Sequence, residues 1–203
     1  MKAQTKESQD QLNADMVIQM LKDGNERFLA NTPINRDLLE QVNDTSGGQY
    51  PYAAVLSCID SRVPVETVLD QGIGDIFSAR VAGNIVNEDV LGSIEYACKV
   101  AGSKAIVVLG HSKCGAVTAA CKGVELGNIT ALLSKIQPAV EVVRPTVDDF
   151  TPEAIETVSV TNVNLSIENM RKDSPILAEM EANGEIKIVG AIYHVESGKV
   201  TWL

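Results

Sequence analysis

Residues 105–109 read Ala-Ile-Val-Val-Leu, and Gly110 and His111 follow them directly. A second short apolar run, residues 52–57, is followed directly by Cys58. Short runs rich in Val, Ile, Leu and Ala are typical of strands in a parallel sheet that helices cover on both faces. Functional groups in such sheets gather beyond the carboxyl ends of the strands. The two runs therefore predict that Cys58 and His111 lie at the same edge of one sheet.

Strand and helix patterns alternate through the region 49–203. The strand candidates are residues 52–57, 76–81, 105–109, 186–193 and 199–202. Helical patterns lie at about residues 64–70, 88–101, 115–124, 129–144, 152–171 and 174–183. This alternation predicts an α/β fold whose central sheet is mostly parallel, with about four parallel strands, an antiparallel edge strand and flanking helices.

Residues 1–48 are predicted to form a helical arm ahead of this α/β core. Leu12, Met16 and Met20 recur at helical spacing within residues 12–31, and residues 37–42 suit a short helical turn. The sequence contains no internal repeat and no Pro-rich linker. With 203 residues it is long enough to bury a sizeable core, so we predict a single domain over residues 1–203.

Charge and hydropathy exclude several classes of partner. With 17 basic and 27 acidic side chains, the net charge of −10 argues against nucleic acid and against anionic lipid surfaces. The longest apolar runs are far shorter than the roughly 20 residues of a membrane span. The start of the chain has no apolar signal-peptide core, so we expect a cytoplasmic protein. A leader removed ahead of this sequence would leave no trace in it.

Cys58, His111 and Cys114 form the most informative pattern in the sequence. Thiolate and imidazole are preferred ligands of Zn²⁺, and three protein ligands with one open position are the catalytic arrangement. No fourth cysteine or histidine is placed to close the site. The pattern therefore predicts one catalytic zinc ion per chain.

The other two cysteines are predicted to belong to the core. Cys98 lies within a helical pattern and suits a buried structural thiol. Cys121 follows Cys114 by seven positions on one predicted helix, a separation of about 10 Å at a rise of about 1.5 Å per residue. Zinc holds sulfur at about 2.3 Å, so both cannot readily bind the same ion.

Asp60 and Arg62 come just after the first cysteine. A carboxylate and a guanidinium two residues apart can form a hydrogen-bonded ion pair. A carboxylate held in this way could accept a hydrogen bond from a zinc-bound hydroxide and so orient it. We therefore predict that Asp60 and Arg62 form a catalytic dyad.

The chain resembles the β-class carbonic anhydrases in the motifs that carry these residues. The matching stretches are Ser57-Cys58-Ile59-Asp60-Ser61-Arg62-Val63-Pro64, Arg80-Val81-Ala82-Gly83-Asn84 and Gly110-His111-Ser112-Lys113-Cys114-Gly115. Their order and spacing agree over about residues 49–137. The resemblance implies reversible hydration of CO₂ to bicarbonate and a proton, by attack of a zinc-bound hydroxide that the dyad orients.

The resemblance also implies a substrate pocket and an oligomer. Gln49, Phe77 and Tyr96 would line the pocket, and Gln49 would reach it across a subunit interface. We add Val63, because a small apolar pocket suits a substrate without net charge or dipole, and Gly115, which follows the last zinc ligand. The family is built from homodimers that are often paired into tetramers.

One departure from the family pattern bears on the state of the site. Some members close it at lower pH by moving the dyad aspartate onto zinc, together with a bicarbonate held by Trp, Arg and Tyr. Arg80 and Tyr193 match two of these positions, but Val55 occupies the Trp position and the only tryptophan is Trp202. We therefore predict an open site, with the dyad paired and water on zinc near neutral pH.

Other interpretations stay open at this point. The same site could hydrolyse CS₂ or COS, or the chain could be a zinc-stabilised assembly protein without catalysis. Cys114, at a helix start, could be the nucleophile of a hydrolase, although that leaves Cys58 unexplained. Arg80 and Asn84 suit loop-stabilising roles as well as catalytic ones. For His194, a surface or packing role is favoured over one as a proton shuttle.

Overall fold

Five strands form the central sheet of the computed structural model, which describes residues 2–203. They are β1 Ala53–Ser57, β2 Ile76–Arg80, β3 Ala105–His111, β4 Lys187–Tyr193 and β5 Val200–Trp202. Their order across the sheet is β2-β1-β3-β4-β5. The first four strands run parallel, and β5 pairs antiparallel with β4 at one edge. The predicted α/β class and the antiparallel edge strand are confirmed.

Ten α-helices surround the sheet in the described part of the chain. They are α1 Lys6–Asp10, α2 Ala14–Leu29, α3 Leu38–Thr45, α4 Val65–Val68, α5 Glu88–Glu95, α6 Gly115–Cys121, α7 Gly127–Leu133, α8 Gln137–Val143, α9 Pro152–Asp173 and α10 Pro175–Ala182. Single turns of other helix types lie at Ala82–Asn84, Tyr96–Val100 and Arg144–Thr146. None of the helices within residues 2–203 has the length and apolar character to cross a membrane.

The prediction of one helix over residues 129–144 is wrong. The structure has two helices there, α7 and α8, separated by residues 134–136. Pro138 lies in the first turn of α8. A proline has no backbone N–H to donate, so it fits the start of a helix but interrupts a continuous one. The apolar periodicity continues through the break, which is why the pattern alone does not show it.

The N-terminal arm packs against the sheet. Val17 and Leu21 of α2 have no exposed area and share one core cluster with sheet residues such as Val55 and Val107. The side chain of Asn25 adds specific hydrogen bonds: Nδ2 donates to the carbonyls of Val68 and Gly198, and Oδ1 accepts from the N–H of Val200. The arm is therefore joined to the core by apolar burial and by a satisfied buried amide.

The two faces of the sheet are both buried. Leu56 and Ile106 face a second core cluster that includes Val163 and Met170 of α9, while their neighbours along the strands face the first cluster. All seven residues of β3 are buried. This is the burial that a parallel sheet covered by helices requires.

Register places the ends of the two central strands side by side. Ser57 of β1 pairs with Leu109 of β3, so Cys58 follows one strand while His111 ends the neighbouring one. Cys98 is buried in the second core cluster and Cys121 in a third, which also contains Cys58 and Cys114, so both are core residues as predicted. Burial raises the pKa of the Cys98 thiol to about 12, as expected for an inert structural cysteine.

Candidate metal centre

Cys58, His111 and Cys114 meet at the carboxyl edge of the sheet. All three are buried, and one ligand atom from each lies within 4.8 Å of the others. Cys98 and Cys121 do not belong to this group. Zinc bonds of about 2.3 Å to sulfur and about 2.0–2.1 Å to nitrogen suit a group of this size. The predicted grouping of the three residues is confirmed.

The imidazole of His111 is oriented as a metal ligand requires. Its Nδ1 lies 2.9 Å from the carbonyl oxygen of Ser112, to which it donates, and that hydrogen bond leaves the lone pair on Nε2. Nε2 is fully buried and has no hydrogen-bond partner within residues 2–203. A buried polar atom without a partner is costly unless a ligand satisfies it. The donor set and this unpaired nitrogen together fit a zinc ion.

The two thiols differ strongly in acidity. A hydrogen bond from the Cys114 thiol lowers the pKa of Cys58 to about 4 against the opposing effect of burial. The same hydrogen bond and burial raise the pKa of Cys114. The hydrogen bond therefore favours the thiolate form of Cys58 over that of Cys114. Zinc would bind both sulfurs as thiolates, so we expect metal affinity to rise with pH.

Gly83 also contacts the Cys58 sulfur, and the sequence analysis gave it no role. Its N–H donates to Cys58 Sγ at 3.4 Å. Gly83 has a φ of 69°, and a Cβ there would come within 2.5 Å of Ile136 Cδ1, so both the backbone and the space favour glycine. Asn162 Nδ2 donates to the Gly83 carbonyl at 2.8 Å and holds the turn in place. The only sequence signal was the glycine itself, within the second matching stretch.

Asp60 and Arg62 form the predicted pair. Arg62 Nε donates to Oδ1 at 3.0 Å and Nη2 donates to Oδ2 at 2.8 Å, a bidentate contact that the Arg62 N–H supplements at 2.9 Å. These hydrogen bonds hold the pKa of Asp60 well below its usual range. Asp60 Oδ2 lies 3.9 Å from His111 Nε2. An ionised carboxylate oxygen thus faces the ligand cluster.

Arg80 stabilises the loop that carries the dyad. Its Nε donates to the carbonyl of Cys58 at 3.0 Å, and its Nη2 donates to the carbonyl of Asp60 at 2.7 Å. Of the two roles open for Arg80, these contacts support loop stabilisation.

Val55 and Tyr193, the residues at the other two positions compared with the family's bicarbonate pocket, are buried in the first core cluster. The open state of the site stays a prediction.

The five residues assigned to the substrate pocket occupy different surroundings. The rings of Phe77 and Tyr96 meet edge to face, with centroids 6.3 Å apart. Val63 is completely buried in the first core cluster, whereas Gly115 is exposed at the first position of α6. Gln49 is exposed in the loop before β1. The structure thus brings the rings of Phe77 and Tyr96 into contact. The assignment of all five residues to the pocket stays a prediction.

His194 has a specific hydrogen-bond partner outside the ligand cluster. Its Nε2 lies 2.9 Å from Thr201 Oγ1, across the turn between β4 and β5. The ring also lines a cleft of about 820 Å³ together with Lys113 and Glu156. The contact with Thr201 supports the packing role that the sequence analysis favoured. This contact does not require His194 to act as a proton shuttle.

Comparison with known proteins gives a consistent result. The carbonic anhydrase family model matches residues 53–200. A carbonic anhydrase of Mycolicibacterium smegmatis is 36% identical over 190 residues, covering 89% of this chain and 88% of the relative. Carbonic anhydrase 2 of Mycobacterium tuberculosis is 36% identical over 192 residues, with 88% and 87% covered.

Solved structures agree with the sequence comparison. The β-carbonic anhydrase CafA of Aspergillus fumigatus superposes with a TM-score of 0.75 at 28% identity, covering 81% of each chain. A tetrameric β-carbonic anhydrase of Sordaria macrospora gives a TM-score of 0.70 at 27% identity, covering 78% of this chain and 83% of its own. Family match, relatives, fold and ligand cluster lead to one conclusion: the chain belongs to the β-class carbonic anhydrases.

Proposed function

We propose that this enzyme catalyses the reversible hydration of CO₂ to bicarbonate and a proton, with one zinc ion per chain. The observation that carries the proposal is the unpaired, buried Nε2 of His111, grouped with two cysteine sulfurs and faced by the Asp60 carboxylate. A closed structural zinc site would not explain why the Asp60–Arg62 pair lies beside the ligand cluster. The names of the relatives support the same reaction.

Cys58, His111 and Cys114 would hold the metal. When bound, zinc lowers the pKa of a water molecule and so supplies a hydroxide nucleophile under mild conditions. Three protein ligands would leave room on the metal for that water, as a catalytic zinc site needs.

The dyad would orient the nucleophile. Because Arg62 keeps the Asp60 carboxylate ionised, Oδ2 accepts hydrogen bonds and does not donate them. An attacking oxygen that donates its hydrogen to Oδ2 has a lone pair directed elsewhere, toward the carbon of CO₂. Two hydrogen bonds from the guanidinium and one from the backbone fix the carboxylate in place. Orientation of this kind is a large part of what a preorganised site contributes.

The substrate would bind among apolar groups. The edge-to-face pair of Phe77 and Tyr96 offers aromatic surface, which suits a molecule that has no net dipole. Release of bicarbonate and transfer of a proton to solvent complete the reaction.

One experiment tests the proposal. Purified protein is assayed for CO₂ hydration by stopped flow with a pH indicator, and its metal content is determined by mass spectrometry. We expect about one zinc per chain and a kcat/KM within the usual enzyme range of about 10⁴–10⁸ M⁻¹s⁻¹. Stoichiometric zinc without hydration would identify an assembly protein, and zinc-free activity would identify a cysteine hydrolase. Faster turnover of CS₂ or COS than of CO₂ would reassign the substrate.

We further propose that the active form is a homodimer or a pair of dimers. Leu38 and Leu39 of α3 are 53% and 80% exposed in the single chain, and Val42 of the same helix is 49% exposed. An apolar helix face of this kind is typical of a subunit interface. Gln49, shortly after α3, would then reach the neighbouring site, as the family resemblance implies.

Leu39→Glu is expected to shift the protein toward monomers and to reduce activity per chain about tenfold or more, because a charge at an apolar interface is costly to desolvate. Sedimentation equilibrium at the assay concentration measures the first effect and stopped flow the second. Leu39→Met, which keeps the position apolar, is the matched control. A fully active monomer would refute the proposal.

A further inference from the structure

A linker of two residues, Ser112 and Lys113, joins the proposed zinc ligands His111 and Cys114. Lys113 has a φ of 54°, in the left-handed region that side chains other than glycine seldom adopt. Such a conformation persists when the surrounding structure holds it from several directions. The contacts of the linker therefore show what keeps two of the three ligands in position.

Ser112 is held by the sheet and by the turn after β4. Its N–H donates to the Tyr193 carbonyl at 2.9 Å, and its Oγ donates to Glu196 Oε2 at 2.8 Å while accepting from the Val195 N–H at 2.9 Å. The carbonyl of Ser112 in turn accepts from His111 Nδ1. This half of the linker, and with it the imidazole, is fixed by several independent contacts.

The backbone N–H of Lys113 is held differently, by one carboxylate from a distant part of the chain. Glu156, in the second turn of α9, accepts a hydrogen bond from the Lys113 N–H at 2.8 Å through Oε1. The Lys113 carbonyl accepts from Arg62 Nη2 at 3.3 Å. Lys113 thus stands between Glu156 on one side and the catalytic dyad on the other.

The ion pair of the Lys113 side chain is a weaker restraint. Lys113 Nζ pairs with Glu196 Oε1 at 2.6 Å, but the two side chains are 62% and 48% exposed. Ion pairs this exposed contribute little, because water and salt screen them. A hydrogen bond from a backbone N–H to an ionised carboxylate is stronger and acts on the backbone itself. Of the two glutamates, Glu156 is therefore the one that acts directly on the backbone of Lys113.

We propose that Glu156 is a positioning residue of the metal centre. By holding the Lys113 N–H it fixes the left-handed turn that leads into Cys114, and it keeps the Lys113 carbonyl where Arg62 needs an acceptor. Glu156 is not a member of the ligand group, so it would act on the metal centre through Lys113. The inference rests on the proposed zinc-dependent function. Partners of metal ligands in this outer position change metal affinity or activity by about 10–100-fold when they are removed.

The test compares three variants of the zinc-loaded protein. Glu156→Ala removes the acceptor, Glu156→Gln keeps an amide oxygen that can accept the same hydrogen bond, and Glu168→Ala removes an exposed carboxylate from the same helix. The readouts are the rate of zinc loss to a chromogenic chelator, the absorption spectrum of the cobalt-substituted protein, and kcat and KM for CO₂ hydration. The wild-type protein, measured first, tests the proposed function separately.

For Glu156→Ala we expect zinc loss to be about tenfold faster, the cobalt bands to shift, and kcat to fall about tenfold with little change in KM. Glu156→Gln should stay within about twofold of the wild type. If Glu156→Ala does not fold, Glu156→Met removes the acceptor while keeping the aliphatic part of the side chain. An acceptor-free variant that matches Glu168→Ala in all three readouts overturns the inference, as does a Gln variant as impaired as the Ala variant.

Discussion

Replacing Cys114 with alanine is expected to remove zinc and activity together. Within residues 2–203, three ligand atoms meet at the site, and two protein ligands hold zinc poorly. The same substitution removes the hydrogen bond that lowers the pKa of Cys58, so the remaining cysteine is also less ready to bind as a thiolate. We expect zinc to fall below about a tenth of one ion per chain and CO₂ hydration to fall about a thousandfold or more.

The matched control is Cys121→Ser, seven positions further on and at the end of the same helix. Cys121 is buried against α8 and outside the ligand group, so its substitution should keep zinc and cost about 1–3 kcal/mol of unfolding free energy. Metal analysis after desalting, stopped flow and denaturant unfolding measure the three effects. Stoichiometric zinc and a full rate in Cys114→Ala would show the ligand assignment to be wrong, and zinc loss from Cys121→Ser would show the core assignment to be wrong.

The second large effect is expected from Asp60→Asn, which should keep zinc and lose most activity. An asparagine has nearly the same shape but only one acceptor oxygen, so it cannot both receive the bidentate contact of Arg62 and accept from the attacking oxygen. Loss of an oriented acceptor of this kind costs about 10²–10⁴-fold in rate. We expect kcat to fall within that range while the zinc content stays near that of the wild type.

The pH dependence of that loss is a further part of the same prediction. Because Arg62 holds the pKa of Asp60 below its usual range, the carboxylate stays ionised well above that pKa. The ratio of wild-type to variant rates should therefore stay constant between about pH 6 and pH 8, far from any carboxyl titration. Asp148→Asn, at an exposed position, is the control for loss of one negative charge. A variant that keeps half the wild-type rate, or one that loses its zinc, would contradict the proposed role.

The ligand cluster could be predicted because each ligand lies next to a strong local signal. An apolar run predicts a strand, and the parallel sheet rule then places the residue after it at a known edge, so Cys58 and His111 had to lie close together. The dyad was equally visible, since its members lie two positions apart. Pairs at such short spacing can be predicted from the sequence without detailed knowledge of the tertiary structure.

Contacts made across long sequence separations could not be predicted in this way. Glu156 follows Lys113 by 43 positions, and nothing in the pattern of α9 marks one of its carboxylates as a partner of that loop. The N–H of Gly83 reaches a sulfur 25 positions away because Asn162 and Ile136 shape the turn around it. The break between α7 and α8 was hidden because apolar residues continue through it.

Asn25 has a consequence for the order of events during synthesis. Its amide, near the beginning of the chain, receives the N–H of Val200 and donates to the carbonyl of Gly198, almost at the other end. Until the segment that contains Gly198 and Val200 has been synthesised and has left the ribosome, these partners of Asn25 are missing. The first long helix can therefore complete its hydrogen bonds to the rest of the fold only after that segment is free to join the sheet.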